Sequence, residues 1–289
     1  MKPQFFGDRV KVEQPGELNK AVYWWVLRPF RPLLYFFFRP QILNIDRLPT
    51  DRPFLLVSNH SISLSELPCF ALKYIDLCGF DRKLAGFAHP FAFFLPPMSL
   101  LVPKLGAIPS TYTHAFDTLE KGVPILIFPG GDHESIRPFW QNNVVDFNQR
   151  KGFLKIARKA RVPIVPMGIH GSHATCPILW RSEFVLPWLL VLPKLFGINR
   201  FPLSLLGLLG AIAIVYSCWT AVGFWTLGLV WLWFASLLHF WPIIPRKVTY
   251  RIGKVVEHEQ LFSADDDDLQ TPYDYVTNKI QELVNDNET

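Results

Sequence analysis

One histidine and one carboxylate in this sequence are spaced to act together on a hydroxyl group. His60 ends the run Ser58-Asn59-His60, which follows an apolar stretch, and Glu66 comes six residues later. A neutral imidazole, with an ordinary pKa of about 6.5, is the side chain best suited to removing a hydroxyl proton at neutral pH. A carboxylate behind the ring fixes its tautomer and stabilises the imidazolium that forms. The spacing therefore predicts that His60 is a general base oriented by Glu66.

A second motif, Phe128-Pro129-Gly130-Gly131, follows another apolar stretch further along the chain. Because glycine lacks a Cβ atom, backbone N–H groups near Gly130 and Gly131 can come close to a substrate. There they would stabilise an oxyanion or position an acceptor. His133 and Glu134 come directly afterwards and are candidate contacts for that acceptor. The two motifs together predict a site that activates a hydroxyl group.

The elements that must hold these motifs alternate between strands and helices. A helix capped by Ser63 or Ser65 follows the first motif, and a last helix opens at Thr271-Pro272. A helix with one apolar face is predicted at residues 152–160. Apolar runs predict strands at 54–57, 123–128, 163–167 and 247–253. This alternation is typical of an α/β domain.

An aromatic segment near the beginning of the chain predicts membrane contact. Half of the 289 residues are hydrophobic, and the mean hydropathy is +0.19, which is unusual for a cytosolic globule. Residues 21–38 are rich in Trp, Tyr and Phe but contain Arg28, Pro29, Arg31 and Pro32. They resemble neither a secretory signal nor a clean membrane span. We expect an interfacial helix in the head-group layer.

A longer apolar segment, residues 203–240, contains no Lys, Arg, Asp or Glu over 38 residues. It has room for two spans of about 19 residues with a turn near Gly223. Arg200 on one side, and Arg246 and Lys247 on the other, would keep both ends on the cytoplasmic side. A re-entrant hairpin that dips into one leaflet is the alternative. A hairpin buried in the core is disfavoured, because so small a domain could hardly cover this much apolar surface.

Charge and cysteine usage limit the partners. Residues 263–289 hold eight acidic residues and one lysine, whereas residues 1–262 hold 28 basic and 16 acidic residues, a net charge of +12. Such a body is attracted to anionic lipid head groups. The chain shows no known nucleic-acid motif, so no nucleic-acid partner is expected. The cysteines and histidines show no metal or disulfide spacing, which favours a reducing cytoplasmic setting without a metal.

Several blocks of residues, in a fixed order, resemble the glycerolipid acyltransferases of phospholipid biosynthesis. Within that family the chain is most similar to the branch of type-2 diacylglycerol acyltransferases and plant phytyl ester synthases. The resemblance covers roughly residues 54–253. The blocks are Asn59-His60-Ser61-Ile62-Ser63-Leu64-Ser65-Glu66, Gly86-Phe87-Ala88-His89-Pro90, Gly106-Ala107-Ile108-Pro109, Phe128-Pro129-Gly130-Gly131-Asp132-His133-Glu134, Arg150-Lys151-Gly152-Phe153 and Val162-Pro163-Ile164-Val165-Pro166.

Two departures from the family pattern affect the predicted acceptor. In the common pattern, four residues separate the histidine from an Asp. Here Ser65 occupies the position of that Asp, and the acid comes one residue later as Glu66, as in the phytyl ester synthase branch. Members that bind a phosphate-bearing acceptor usually carry arginines where this chain has Pro109-Ser110 and Asp132-His133. A phosphate group is usually bound by the cationic side chains of Arg or Lys. The basic residues that could replace the missing ones are Arg137, Arg150 and Lys151.

The resemblance implies an acyl transfer without an acyl-enzyme. The donor would be acyl-CoA or an acyl carrier protein, which is a co-substrate, and no cofactor or metal is expected. His60 and Glu66 are the predicted catalytic residues. The predicted substrate-binding residues are Asn59, Phe128, Pro129, Gly130, Gly131, His133, Glu134, Arg137, Arg150 and Lys151.

The sequence thus predicts a membrane-bound O-acyltransferase whose active site faces the cytoplasm. The acceptor would be a hydroxyl of a glycerolipid such as a lysophospholipid or 1-acylglycerol-3-phosphate, or else a neutral one such as diacylglycerol or a long-chain alcohol. A lipid esterase or transacylase and an inactive membrane adaptor are further alternatives. The expected parts are a membrane-interface segment (1–45), an α/β acyltransferase domain of a sheet flanked by helices (46–262, with the apolar hairpin 203–240 inserted), and an acidic linker with a C-terminal helix (263–289).

Overall fold

A mixed sheet of seven strands forms the centre of the protein. The structure, a computed structural model, describes residues 8, 10–63, 65–94, 96–183, 200–262 and 268–286. The strands lie in the order β1-β9-β6-β2-β5-β3-β4, and β7 and β8 form a separate antiparallel pair. From β6 to β4 all neighbours are parallel, whereas β9 runs antiparallel to β6. The strands are β1 (Gln41–Leu43), β2 (Leu55–Ser58), β3 (Ala85–Ala88), β4 (Ala107–Pro109), β5 (Ile125–Ile127), β6 (Ile164–His170), β7 (Ile178–Ser182), β8 (Phe201–Ser204) and β9 (Thr249–Ile252).

Helices connect the strands and cover both faces of the sheet. They are α1 (Lys20–Val22), α2 (Arg31–Phe38), α3 (Glu66–Cys78), α4 (Met98–Leu101), α5 (Tyr112–Glu120), α6 (Gly131–Ser135), α7 (Gly152–Ala160), α8 (Ser172–Thr175), α9 (Leu205–Val222), α10 (Thr226–Ala235), α11 (His258–Leu261) and α12 (Gln270–Asn285). The predicted α/β fold is confirmed. The four strands and the helix at 152–160 that the sequence predicted are present, with ends shifted by a few residues at most.

The core has two layers because side chains alternate along each strand. On β2, Leu55 and Val57 belong to one layer and Leu56 to the other. Helices α5, α7 and α12 pack into the first layer, and α2 and α3 into the second. Leu55, Leu56 and Val57 are all fully buried. This explains why β2 is a continuous apolar run rather than an alternating one.

Residues 20–38, the N-terminal helical segment, are helical throughout. A π-helical turn, Tyr23–Leu27, and a 3-10 turn, Arg28–Phe30, join α1 to α2. Trp25 and Phe36 are 82% and 77% exposed. Tyr35 and Arg31 both bond to Asp76 of α3, which fixes the segment to the domain. Large aromatic side chains in water are unfavourable, so this surface suits the membrane interface that the sequence predicts.

The apolar segment forms a helical hairpin between β8 and β9. Helix α9 has 18 residues and α10 has 10, and Gly223 with φ of 53° lies between them. Trp233 Nε1 donates to the Gly207 carbonyl at 3.0 Å, so the two helices fold back on each other. Over Leu205–Ala235 the mean hydropathy is 2.0 and only 6% of an 18-residue window is buried. By length and composition this stretch suits a membrane, and the buried-core alternative does not apply.

Candidate active site

The carboxyl ends of two neighbouring strands bring the two sequence motifs together. β2 and β5 are parallel neighbours, so His60 after β2 lies beside Phe128 after β5. The two rings stack with centroids 4.8 Å apart and planes at 27°. The side chain of Asn59 accepts from and donates to the backbone of Ile169 on β6, at 2.7 and 2.8 Å. Asn59 is 1% exposed, so it holds the motif to the sheet instead of facing a substrate.

The carboxylate closest to the His60 ring belongs to Glu134. Nδ1 of His60 lies 3.5 Å from Oε2 of Glu134, whose side chain is fully buried. Helix α6 carries Glu134, and the second motif runs directly into that helix. From the sequence alone, Glu134 is predicted to contact the substrate. The structure places it behind the ring, out of reach of any molecule in the cleft.

Glu66, the predicted partner of His60, is occupied elsewhere. Its two carboxylate oxygens accept from the backbone N–H of Ser61 at 3.2 and 3.0 Å, and Ser61 Oγ donates to it at 3.0 Å. Tyr250 donates to the Glu66 carbonyl at 2.6 Å. Glu66 therefore closes the loop that follows His60. The expected direct contact between its carboxylate and the ring is absent from the part of the chain that the structure describes.

Burial dominates the protonation of this cluster. It lowers the pKa of His60 to about 4, against the opposing charge of Glu66. Burial also raises the pKa of Glu66 to about 6, although the charge of His60 and the hydrogen bonds from Ser61 act to lower it. It raises the pKa of Glu134 well above its usual range, although the charge of Arg137 acts to lower it. It also lowers the pKa of His173 to about 3. His60 is consequently neutral at physiological pH, as a general base must be.

The protein's own side chains occupy the space beside both glycines of the second motif. A Cβ atom on Gly130 would lie 2.5 Å from Oε2 of Glu134. A Cβ on Gly131 would collide with Arg150, and the φ of Gly131 is 52°. The backbone N–H of Gly131 also donates to the Phe128 carbonyl, at 3.4 Å. The glycines thus make room for two charged side chains of the protein itself. The sequence instead predicts that the substrate uses this space.

A network of ion pairs surrounds the second motif. Arg137, 3% exposed, pairs with Glu134, and its Nη2 lies 3.5 Å from Oε1. Arg150 donates to the Gly130 carbonyl at 2.9 Å and pairs with Asp132 at 2.8 Å. His133 contacts Asp146 at 2.8 Å. Lys151 and Pro129 are half-buried.

Three further members of this network, Asp146, Arg181 and Arg200, were not among the predicted site residues. Arg181 donates to the His133 carbonyl at 2.8 Å, and Arg200 pairs with Asp132 at 3.0 Å. They come from segments far apart in the chain, with no common motif. Only the fold brings them together, so no local pattern in the sequence could have identified them.

An apolar cavity of about 420 Å³ opens next to the stacked rings. Phe128, Leu67 and Pro68 contribute to its wall, together with Ala71 and Tyr74 from further along α3. His89 also borders it, but its Nδ1 accepts from the Phe91 backbone N–H at 3.3 Å and caps a turn. A long, almost wholly apolar cavity of this size can hold a hydrocarbon chain.

Sequence comparison matches part of the chain to a known family. Residues 39–170, which contain β1, both motifs and β6, match the family described as "Acyltransferase". Residues 39–170 therefore match an acyltransferase domain. They contain the histidine and the glycine pair described above.

The acyltransferase domain has relatives in bacteria, plants and animals. An uncharacterized protein of Mycobacterium tuberculosis is 29% identical over 194 residues, which is 64% of this chain and 51% of that protein. Phytyl ester synthase 2, chloroplastic, of Arabidopsis thaliana is 26% identical over 49% of this chain and 21% of the relative. The human "DGAT1/2-independent enzyme synthesizing storage lipids" is 28% identical over 44% of this chain and 38% of the relative. The matched part thus spans about half or less of each relative.

The fold of the acyltransferase domain is also found in a solved structure. The 1-acyl-sn-glycerophosphate (LPA) acyltransferase PlsC from Thermotoga maritima superposes with a TM-score of 0.51 over 93% of this chain and 84% of that one, at 19% identity. At this identity the likeness establishes the shared fold of a sheet flanked by helices.

Proposed function

We propose that this protein is a membrane-bound O-acyltransferase that moves a fatty acyl chain from a thioester to a lipid hydroxyl. The observation that carries the proposal is the neutral His60 ring stacked on Phe128, a residue that also lines the 420 Å³ apolar cavity. A general base beside a channel for a hydrocarbon chain is what this reaction requires. The acyltransferase family of residues 39–170 supports the same reaction class.

In the proposed reaction His60 acts through Nε2, since Nδ1 is buried and the ring keeps 19% exposure. Nε2 accepts the proton of the acceptor hydroxyl, and the hydroxyl oxygen attacks the thioester carbonyl. The carbon–sulfur bond then breaks, and the leaving thiolate takes the proton from the imidazolium. No acyl-enzyme forms, and the donor, acyl-CoA or an acyl carrier protein, is a co-substrate, so no cofactor is needed.

The acceptor that fits best is a neutral lipid, either diacylglycerol or a long-chain alcohol. Arg137 is buried against Glu134, and Arg150 is held by Asp132 and the Gly130 carbonyl. Their charges are already compensated, so a phosphate group would have to displace these partners. The plant and human relatives named for ester and storage-lipid synthesis support this choice. A lysophospholipid or 1-acylglycerol-3-phosphate is the second candidate, favoured by Lys151 and the 41% exposed side chain of Arg150.

A second apolar cavity, of about 310 Å³, suits the chain of the acceptor. It lies between the N-terminal helical segment and residues 241–245, which follow the hairpin. Leu27 and Pro68 line both cavities, so the two are neighbours. Phe30 and Trp241 at its border are 53% and 49% exposed, which opens it toward the surface that would meet the membrane.

Membrane lipids are accordingly the proposed partners, with no role for nucleic acid. Arg200 before the hairpin, and Arg246 and Lys247 after it, favour the cytoplasmic side for both of its ends by the positive-inside rule. The active site would then face the cytoplasm, where the acyl thioester is available.

The test is acyl transfer by the purified full chain in lipid nanodiscs. Labelled oleoyl-CoA is offered in parallel to diacylglycerol, a long-chain alcohol, monoacylglycerol and lysophosphatidate. His60→Ala is assayed beside the wild type. We expect transfer to the neutral acceptors and a loss of at least about a hundredfold in the variant, the usual contribution of a general base.

Other outcomes would correct the proposal in different ways. Transfer to lysophosphatidate alone would move the enzyme to phospholipid synthesis and make Lys151 and Arg150 the phosphate contacts. Release of free fatty acid without any ester product would favour the lipid esterase. An absence of His60-dependent chemistry with every acceptor would favour the membrane adaptor.

A further inference from the structure

Two buried polar atoms face each other at the centre of the site, and neither has a hydrogen bond. They are Nδ1 of His60 and Oε2 of Glu134, 3.5 Å apart. Buried polar atoms without partners are uncommon in folded proteins, because each one forfeits its hydration. A slight rotation of either side chain would bring the two within hydrogen-bonding distance. The arrangement therefore points to a bond between these two residues.

The surroundings of Glu134 hold its carboxylate under the ring. Gly130 provides the space, since any Cβ there would lie 2.5 Å from Oε2. Arg137 supplies a buried positive charge at Oε1. His173 Nε2 lies 3.2 Å from the Glu134 carbonyl and fixes the helix backbone. Three neighbours thus position one carboxylate group, which is more support than a solvated loop residue would have.

Glu66 has a different set of partners that competes with any bond to the ring. Ser61 makes three contacts to its carboxylate, and the shortest of them is 3.0 Å. Its charge still acts on His60 through space, but its hydrogen-bonding capacity is used by the loop. Spacing along the sequence points to Glu66 as the carboxylate partner of the His60 ring, whereas the three-dimensional contacts point to Glu134.

We infer that Glu134 is the positioning residue for His60: its carboxylate, whose ionised form the adjacent charge of Arg137 favours against burial, accepts a hydrogen bond from Nδ1–H and leaves Nε2 free for the substrate hydroxyl. The catalytic role of this hydrogen bond rests on the proposed function, whereas the hydrogen bond itself does not. The position of the ring proton can be measured without any substrate, so the inferred hydrogen bond and the proposed function can fail separately. A carboxylate that fixes the tautomer in this way controls whether the exposed nitrogen can act as a base at all.

The first experiment determines the tautomer of His60 in the wild-type full chain. Nitrogen-15-labelled histidine is introduced, the protein is placed in lipid nanodiscs, and His60→Gln identifies the resonance. We expect a neutral ring with the proton on Nδ1 at neutral pH. A proton on Nε2 would overturn the inference, whatever the activity assay shows.

The second experiment compares two buried glutamates under the same substitution. Glu134→Gln should change the tautomer ratio of His60 and lower kcat by at least about tenfold, with KM for donor and acceptor unchanged. Glu66→Gln should leave the tautomer as it is. The reverse pattern would restore Glu66 as the partner. If Glu134→Gln does not fold, because Arg137 loses its counter-charge, the double variant Glu134→Gln/Arg137→Gln removes both charges and is measured instead.

Discussion

His60 has an acid–base behaviour that its sequence neighbours alone would not produce. Burial lowers its pKa to about 4, and the charges of Arg137 and Arg150 act in the same direction. A histidine whose pKa is depressed in the folded state adds stability above its ordinary pKa and loses it as pH falls toward the depressed value. The neutral ring, which is the reactive form, therefore persists well into mildly acidic solution.

The pH dependence of acyl transfer follows from this shift. Between about pH 8 and pH 6 the value of kcat/KM should stay nearly constant, since kcat/KM reports the pKa of the free enzyme's base. The acid limb should lie toward about pH 4. The measurement is single-turnover transfer after a pH jump, with circular dichroism at each pH to show that the fold persists. An acid limb centred at the ordinary histidine value of 6.5 would mean that water reaches the ring far more than the structure allows.

At this scale the sequence points to the proposed base but not to the carboxylate that lies nearest to it. His60 and the glycine pair stood out because each follows an apolar strand. Glu66 was chosen because it is near His60 along the chain, yet a side chain six residues away can bond the loop as readily as the ring. Glu134, the carboxylate nearest to the ring, is brought there by the pairing of β2 with β5, which no local spacing encodes.

Among the elements, α3 is the one that we expect to set the length of acyl chain that the first cavity accepts. Ala71 lies on its cavity side, whereas Leu77, six residues on, is 47% exposed and does not line the cavity. Ala71→Phe should shorten the preferred acyl donor by several carbons, because the added ring occupies part of the 420 Å³. Leu77→Phe on the same helix is the matched control and should change nothing. The measurement is kcat/KM for a series of acyl-CoA chain lengths, and equal profiles for the two variants would remove this cavity from donor binding.

The apolar hairpin has two helices of unequal length. At about 1.5 Å per residue, α9 is about 27 Å long and α10 about 15 Å, against a hydrocarbon core of about 30 Å. The shorter helix cannot return across a whole bilayer, so we expect the re-entrant form. Hydropathy alone could not show this, because apolar residues continue to Phe240 while the helix ends at Ala235.

Cysteine labelling distinguishes the two forms of the hairpin. In a background without the native cysteines, Gly223→Cys should resist a membrane-impermeant maleimide from either side, since the turn lies inside the bilayer. Asn285→Cys on α12 is the control and should react from the side that holds the active site. Reaction of Cys at position 223 from the opposite side alone would show that the hairpin crosses the membrane.

For the molecule as a whole, the fold places two neighbouring apolar cavities beside the proposed reaction site. The N-terminal helical segment and residues 241–245 are about 200 residues apart in the chain, yet together they line the second cavity. The sequence predicts membrane contact for residues 21–38 and for the apolar hairpin that residues 241–245 follow, because aromatic content and missing charges are visible locally. It could not predict that they form a common wall, because that wall depends on β9 returning beside β1 and β6. This is the arrangement in which a lipid can move sideways from the membrane to His60.

If this wall binds the acceptor, narrowing it should weaken acceptor binding and nothing else. Leu34 on α2 lines the second cavity, while Phe36, two residues on, is 77% exposed and does not line it. Leu34→Trp should raise KM for the lipid acceptor by about tenfold, a loss of about 1.4 kcal/mol. KM for the acyl donor should not change, because the donor chain lies in the first cavity. Phe36→Trp adds the same ring outside the cavity and should leave both constants as in the wild type. Equal increases in both KM values for Leu34→Trp would mean that the two cavities act as one channel for the donor, and that the acceptor reaches His60 by another route.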